Sequence, residues 1–295
     1  MNPKLVAIST LQRKGEDAAA IKAGKALFAS GSLSPREQVQ LLGLLGLANT
    51  DLSNFQEASR DYEQALSLIG HDASAMSDRA AVLNAYGALY RDQGQLDVAI
   101  RLRSQALDLY RQLNNHEGIA IASNNLAALY LAQKHTGQAE RYLKQATDEA
   151  KLVKDMDLAD RAGIASNVAR LHAMQGHVDQ AVQGYTDALA LFIESHGAGS
   201  VSVGWMEVVL ASAYDLARQT DKALEKCRDG LMILERTQGQ KSRKYLSAKL
   251  IYATILEHSG AHDAARLAAQ EARAGLQELA QNECASCTIT VSGLK

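Results

Sequence analysis

Apolar residues recur along this chain at helical spacing, and the recurrence itself repeats. Within "GQAERYLKQA" Ala139 is followed seven residues later by Ala146. The same pair stands at Ala58/Ala65, Ala99/Ala106, Ala181/Ala188 and Ala265/Ala272, with Ala223/Gly230 completing the set. The first members are 41, 40, 42, 42 and 42 residues apart, and a weaker copy, Ala19/Ala26, lies 39 residues before the first. A step held through six copies marks a repeat architecture and takes precedence over any local motif. Thirteen, twelve and nine residues upstream of each marker alanine runs a second set: Leu45-Gly46-Asn49, Tyr86-Gly87-Tyr90, Leu126-Ala127-Tyr130, Val168-Ala169-His172, Leu210-Ala211-Tyr214 and Tyr252-Ala253-Leu256. A large residue, then Gly or Ala, then usually an aromatic share one helix face. Gly94, Gly176 and Gly260 fall five residues before the marker, where a helix stops and turns. Each unit therefore predicts two antiparallel helices, with small residues on facing stripes that let the backbones approach closely.

These residues resemble the tetratricopeptide repeat, which carries aromatic-x2-Leu-Gly-x2-Tyr on its first helix and Ala-x3-Phe-x2-Ala on its second. The fullest copy is "LNAYGALYRDQGQLDVAIRLRSQA" (residues 83–106), with Leu83 in place of the first aromatic and Arg103 in place of the phenylalanine; Tyr62 and Tyr185 keep an aromatic there. The period is 40–42 residues and no proline closes a repeat. Both features, and the run "NNLAALY" from Asn124 to Tyr130, are similar to kinesin light chains, whose longer repeats carry about one extra turn per helix.

The resemblance implies an all-α, right-handed superhelical solenoid of antiparallel helix pairs over residues 1–282, with an N-terminal cap at 1–34. Six repeats are expected near 36–70, 76–113, 117–154, 158–195, 201–237 and 242–280. Each buries its apolar face against its neighbours. "SHGAGSVSVG" (195–204), the longest glycine-rich stretch, joins the fourth and fifth repeats, and 283–295 alternates like a short strand.

Composition narrows the function. The chain is 47% hydrophobic but only 5% aromatic, with 2 prolines, as closely packed helices require. A formal charge of -2 and a pI near 6.5 argue against a nucleic-acid partner. Leu5–Ile8 is too short an apolar run for a signal peptide and no stretch approaches a membrane span, so a cytoplasmic chain without membrane contact is expected. Three cysteines make no disulfide framework.

Candidate chemistry lies on the first helices, which line the inner surface of such a solenoid. Fifteen, fourteen, eleven and eight places before the marker, the second to fourth repeats carry Asn84, Arg91, Asn124, Asn125, Ser166, Asn167 and Arg170. Asparagine is a mediocre helix former, so its recurrence at equivalent places needs a reason. A carboxamide both donates and accepts, matching the alternating N–H and C=O groups of an extended peptide, and an arginine captures a carboxylate. The family commonly holds peptides in this groove with asparagines at matching places. The competing reading is that these asparagines cap loops or bond neighbouring helices. Further along, Trp205, Val208, Val209, Leu250 and Ile251 make the corresponding places apolar, with Trp205 either an anchor for an apolar side chain or packed beneath the adjoining loop.

No catalytic constellation emerges, and the chain is expected not to be an enzyme and to need no cofactor or metal. His258 and His262 have zinc-ligand spacing, but Gly260 places a turn between them. His172 occupies the place of a packing tyrosine, Cys227 lies on a buried stripe, and Cys284/Cys287 is a lone C-x2-C without further ligands. The sequence thus points to a protein–protein interaction scaffold that takes a partner's peptide segment in its concave groove, as a monomer or weak homodimer. The alternative is a bacterial peptide-sensing regulatory receptor that changes superhelical pitch on binding. A third idea lets the tail Cys287–Leu294 enter a neighbouring copy's groove.

Overall fold

The computed structural model describes residues 2–70 and 75–287, with side chains described as far as Gln281. Among the described residues it is built of α-helices: α1 (Pro3–Arg13), α2 (Asp17–Ala29), α3 (Pro35–Asp51), α4 (Phe55–Ile69), α5 (Met76–Asp92), α6 (Leu96–Gln112), α7 (His116–Ala132), α8 (Thr136–Ala150), α9 (Leu158–Met174), α10 (Val178–His196), α11 (Val201–Leu216), α12 (Thr220–Gln238), α13 (Arg243–His258) and α14 (His262–Cys287). They gather into two compact units, Met1–Gln175 with α1–α9 and Gly176–Lys295 with α10–α14. The cut falls at the turn within the predicted repeat 158–195.

The turns inside the helix pairs share one geometry. The backbone N–H four places before the marker alanine donates to the carbonyl nine places before it: Asn54 to Asn49 and Gln95 to Tyr90 at 2.8 Å, His135 to Tyr130 at 2.8 Å, Gln219 to Tyr214 at 2.9 Å and Ala261 to Leu256 at 3.0 Å. Closing this loop forces the preceding residue into left-handed backbone. Gly94, Gly176 and Gly260 take φ of 74°, 81° and 85° there, and Ser53, Lys134 and Arg218 take 61°. Glycine was legible as a stop signal; its three non-glycine equivalents were not.

Apart from α5, whose N-cap Ala75 makes no side-chain bond, the first helices from α3 to α13 begin differently from the second helices. Ser34 caps α3 in a reciprocal capping box with Glu37, and Asn115, Asp157, Ser200 and Ser242 accept main-chain N–H bonds at the starts of α7, α9, α11 and α13. The second helices α4, α6, α8, α10 and α12 have no side-chain cap bond, because the tight turn enters them directly.

Small residues set the spacing within each pair. A Cβ on Gly46 of α3 would lie 2.7 Å from Cε1 of Tyr62 on α4, and one on Gly230 of α12 would lie 2.6 Å from Cγ2 of Val208 on α11. The marker alanines are fully or almost fully buried. In unit 1 successive first helices also pack on one another, α1 on α3, α3 on α5, α5 on α7 and α7 on α9, whereas contacts between successive second helices are much sparser. A row tight on one side and spread on the other curves, with the first helices inside. The curve brings Arg13 at the end of α1 to within 3.7 Å of Asp157, the N-cap of α9. In unit 2, α11 and α13 pack together in the same way.

Two expectations change. The 195–204 loop is shorter than its glycines suggested, since α10 runs to His196 and α11 starts at Val201, with Gly197 (φ 79°) ending the one and Ser200 capping the other. The strand-like reading of 283–295 gives way over 283–287, where α14 continues to Cys287. Residues 288–295 and the side chains of Cys284 and Cys287 lie outside the described residues.

Candidate functional site

On the inner face of unit 1 the asparagines of successive first helices meet. Asn125 Nδ2 on α7 donates to Asn84 Oδ1 on α5 at 3.2 Å, and Asn167 Nδ2 on α9 donates to Asn124 Oδ1 on α7 at 2.8 Å. All four side chains are half-buried. The regular step of the chain produces this: 41 residues separate the first pair and 43 the second, so equivalent positions on adjacent helices face each other. The asparagines therefore do bond neighbouring helices, as one reading of the sequence had it. Each bond consumes one donor and one acceptor and leaves the remaining carboxamide hydrogens and oxygen lone pairs at the surface of the curve.

Around them, Ser166 is half-buried, while Arg170 and Arg91 are exposed. Arg91 Nε donates to Asp92 Oδ1 at 2.7 Å, which leaves its terminal nitrogens for other acceptors. Gly163, beside the Asn167–Asn124 pair, would place a Cβ 3.6 Å from Asn124 Nδ2, in ordinary contact.

In unit 2 the corresponding places are apolar but more enclosed. Val208 is fully buried against Gly230, so it belongs to the α11–α12 core and not to an open surface; glycine at the facing position draws the helices together over it. Trp205 and Ile251 are half-buried and pack against that same core, with Val209 and Leu250 also half-buried.

A residue the sequence marked only as a departure from the family pattern turns out to be buried beneath the inner face of unit 1. Arg103 of α6 is 2% exposed. Its Nη1 donates to the main-chain oxygen of Asn125 at 2.9 Å, and its Nε has no hydrogen-bond partner. Burial, with the Arg91 charge nearby, pushes its pKa down to about 9 against a weaker opposing pull from Asp92. The signal was a charged residue at a place that Tyr62, Leu143, Tyr185 and Cys227 fill in other repeats.

The remaining candidates separate cleanly. His258 Nδ1 lies 2.7 Å from Asp215 Oδ2 and His262 Nδ1 lies 2.8 Å from Glu257 Oε1, so each imidazole has its own carboxylate. No group of three or more His, Cys, Asp or Glu placed to hold a metal ion occurs among the described residues. His172 is half-buried on α9. Cys227 is fully buried, and burial pushes its thiol up to about 12. No described helix is long and apolar enough to cross a membrane.

Residues 78–149 match the tetratricopeptide repeat family. No curated protein matches the sequence. Among solved structures, BtubC (BKLC) from P. vanneervenii is 19% identical over 78% of this chain and 92% of its own, with a TM-score of 0.55. Kinesin light chain repeats from Podospora anserina are 20% identical over 70% of this chain and 98% of their own, with a TM-score of 0.51. A Rap protein complexed with Competence and Sporulation Factor is 14% identical over 94% of this chain and 98% of its own, with a TM-score of 0.64. The helix pairs, their recurring left-handed turns and these likenesses give the chain the fold of a tetratricopeptide-repeat solenoid, with residues 78–149 matching the repeat family itself and the long-repeat kinesin light chains among the structures it is similar to.

Proposed function

We propose that the chain is a non-catalytic interaction scaffold whose unit 1 binds a peptide segment of a partner protein along the inner face of α5, α7 and α9. The observation that carries this reading is the pair of asparagine bonds across adjacent first helices. They fix the side-chain amides in place while leaving donors and acceptors for a peptide main chain. Pinning costs rotamer freedom during folding, so that cost is not paid again on binding. Arg91 and Arg170, exposed at the edges of the row, supply charge pairing. The repeat family is typically a scaffold, and a relative of the same fold was crystallised with Competence and Sporulation Factor, which supports a proteinaceous ligand. In unit 2, Trp205, Val209, Leu250 and Ile251 offer at most shallow apolar contacts.

Panning a random-peptide phage library on the intact chain tests this. Selected peptides are expected to protect α5, α7 and α9 from hydrogen exchange and to bind at least tenfold more weakly to a folded chain carrying Asn124→Ala, Asn167→Ala and Arg170→Ala together. Unchanged affinity in that variant, or protection confined to the second helices, would overturn the reading.

A further inference from the structure

The repeat pattern breaks at one further place, on the flank of α9. Sixteen residues before the marker alanine, Leu42 and Leu83 fill the first two repeats and are buried, and the smaller Ser123 of the third is fully enclosed. Ala165 stands there in the fourth repeat and is only half-buried. The connection beside it is also longer. Three residues, 113–115, join α6 to α7, whereas seven, 151–157, join α8 to α9. A small side chain under a wide loop leaves a cleft of about 600 Å³ between the end of α8 and the flank of α9. Ile164, Ala165 and Val168 of α9 form one wall; Ala150 of α8 and Val153 of the loop form the other. These walls continue the apolar cluster that Ala146 and Met156 share with Ile164.

Three cations also line this apolar cleft, and among the described residues no carboxylate does. Arg161 is tied to the loop: its Nη2 donates to the carbonyls of Val153 at 3.4 Å and Lys154 at 3.3 Å, which leaves Nη1 and Nε for another acceptor. Neither Lys154 nor Arg161 forms an ion pair among the described residues. Lys151 lies 3.2 Å from Asp148, which Lys144 also approaches at 2.8 Å, so two lysines share one carboxylate. Positive charge is therefore in excess beside an apolar wall. An anion arriving among these cations is drawn by all three, and a hydrocarbon body attached to it gains by burying its surface on the wall. The volume is that of small-molecule sites, which span roughly 300–1,000 Å³.

We propose that the α8–α9 cleft is a second binding site, and that it takes an amphipathic small molecule with a single anionic head on an aliphatic chain. The chain lies against Ile164, Ala165 and Val168, and Lys154 and Arg161 hold the head. Thr147 is the one uncharged polar side chain in the lining, too little to match the repeating donors and acceptors of a peptide. Asn124, Asn167 and Arg170 do not line the cleft, so this site stands or falls apart from the inner-face reading.

The test titrates the intact chain with octanoate, below its micelle concentration and at constant ionic strength. Carbon-13 spectra read the methyl groups of Val153, Ile164, Ala165 and Val168. Saturable shifts at these groups are expected, with neutral 1-octanol binding about tenfold more weakly. Affinity is expected to rise about two- to fourfold per added methylene from butanoate through hexanoate to octanoate. Octyl phosphate, run beside octanoate, tells whether the head is a phosphate or a carboxylate. Lys154→Gln with Arg161→Gln should weaken octanoate about tenfold and leave 1-octanol unchanged. Ala165→Leu should fill the cleft, as Leu42 and Leu83 fill their own places, and abolish saturable binding while helical circular dichroism is kept. Linear shifts, equal affinity for octanoate and 1-octanol, or undiminished affinity in a folded Ala165→Leu would overturn the proposal. The head and chain-length comparisons need no variant, so the outcome does not depend on any variant folding. Octanoate binding without peptide binding would leave this site standing and sink the inner-face reading; peptide binding without octanoate binding would do the reverse.

Discussion

Lys134 closes α7 in left-handed backbone at φ 61°, at the place where Gly94 and Gly176 close α5 and α9. An L-residue there costs about 1–2 kcal/mol, from the clash of Cβ with the neighbouring carbonyl. Glycine removes that clash but gives back about 0.5–1 kcal/mol through its larger unfolded-state freedom. Lys134→Gly should therefore stabilise the α7–α8 turn by roughly 0.5–1 kcal/mol. Lys134 is exposed, so little packing is lost. In a stack of repeats a global melting curve need not be two-state, and the gain should be read locally. The His135 amide donates to the Tyr130 carbonyl across this turn at 2.8 Å. Its hydrogen exchange is expected to slow about two- to fivefold in Lys134→Gly, the equivalent of that free energy. Gly94→Ala, the reciprocal change, should speed exchange at Gln95 by a comparable factor. Ser53→Gly and Arg218→Gly are distant enough for their gains to add. Faster exchange at His135 in Lys134→Gly, together with a neutral Gly94→Ala, would refute the argument that the turn geometry is what these residues share.

Burial, with Asp157 and Glu117 adding repulsion, raises Asp160 on α9 from 3.8 to about 6. Folded protein then binds this proton more tightly than unfolded protein, so stability rises as pH falls from about 7 through 6 and levels off below about 4. Asp160→Asn should flatten that slope and stabilise at pH 7 by about 1–2 kcal/mol after solvent screening; equal urea midpoints for both proteins at pH 7 would contradict it. Gly46→Ala meets the Tyr62 ring at 2.7 Å and should cost about 1–3 kcal/mol, whereas Gly43→Ala finds only Val82 at 3.9 Å and should gain about 0.5–1 kcal/mol. Urea titration of the two variants compares them, and a Gly43→Ala chain no more stable than Gly46→Ala would refute the contact argument.

The fold was legible because a solenoid writes its packing into the chain with a fixed step: the marker alanines, the small residue twelve places upstream and the three turn glycines each report a local contact. Ser53, Lys134 and Arg218 were silent because the turn's hydrogen bonds, made by the main chain, impose the conformation on any residue type. The inner asparagines were legible as a row. What they bond to was not, because that depends on the stagger between helices 41 and 43 residues apart. Val208 was misplaced on the surface because position alone does not reveal that Gly230 opposite lets α11 and α12 close over it. Arg103 shows the converse: a residue breaking the repeat's pattern pointed to a buried, incompletely paired charge in unit 1, but only its enclosed guanidinium with an unpartnered Nε gives the substitution meaning.

Whether the asparagines serve the stack or a ligand is a question about individual atoms, and one substitution separates the two. Asn167 Nδ2 donates to Asn124 Oδ1 at 2.8 Å, so the bond between α9 and α7 uses the acceptor of Asn124 and none of its hydrogens. Asn124→Asp keeps that acceptor and strengthens it with charge, while removing both N–H donors. If Asn124 serves only the stack, stability should hold or rise by up to about 1 kcal/mol and peptide binding should not change. If it also donates to a peptide carbonyl, stability should still hold, but affinity should drop by about tenfold or more, because a carboxylate then faces a carbonyl oxygen with no proton between them. Measuring urea midpoint and peptide affinity on the same preparation decides it. Asn124→Ala cannot, since it removes the helix–helix bond and the free donors together. A variant that loses stability but keeps its affinity would show that the Asn124 donors, not its oxygen, hold the helices, and would refute the hydrogen-bond direction on which the recognition argument rests.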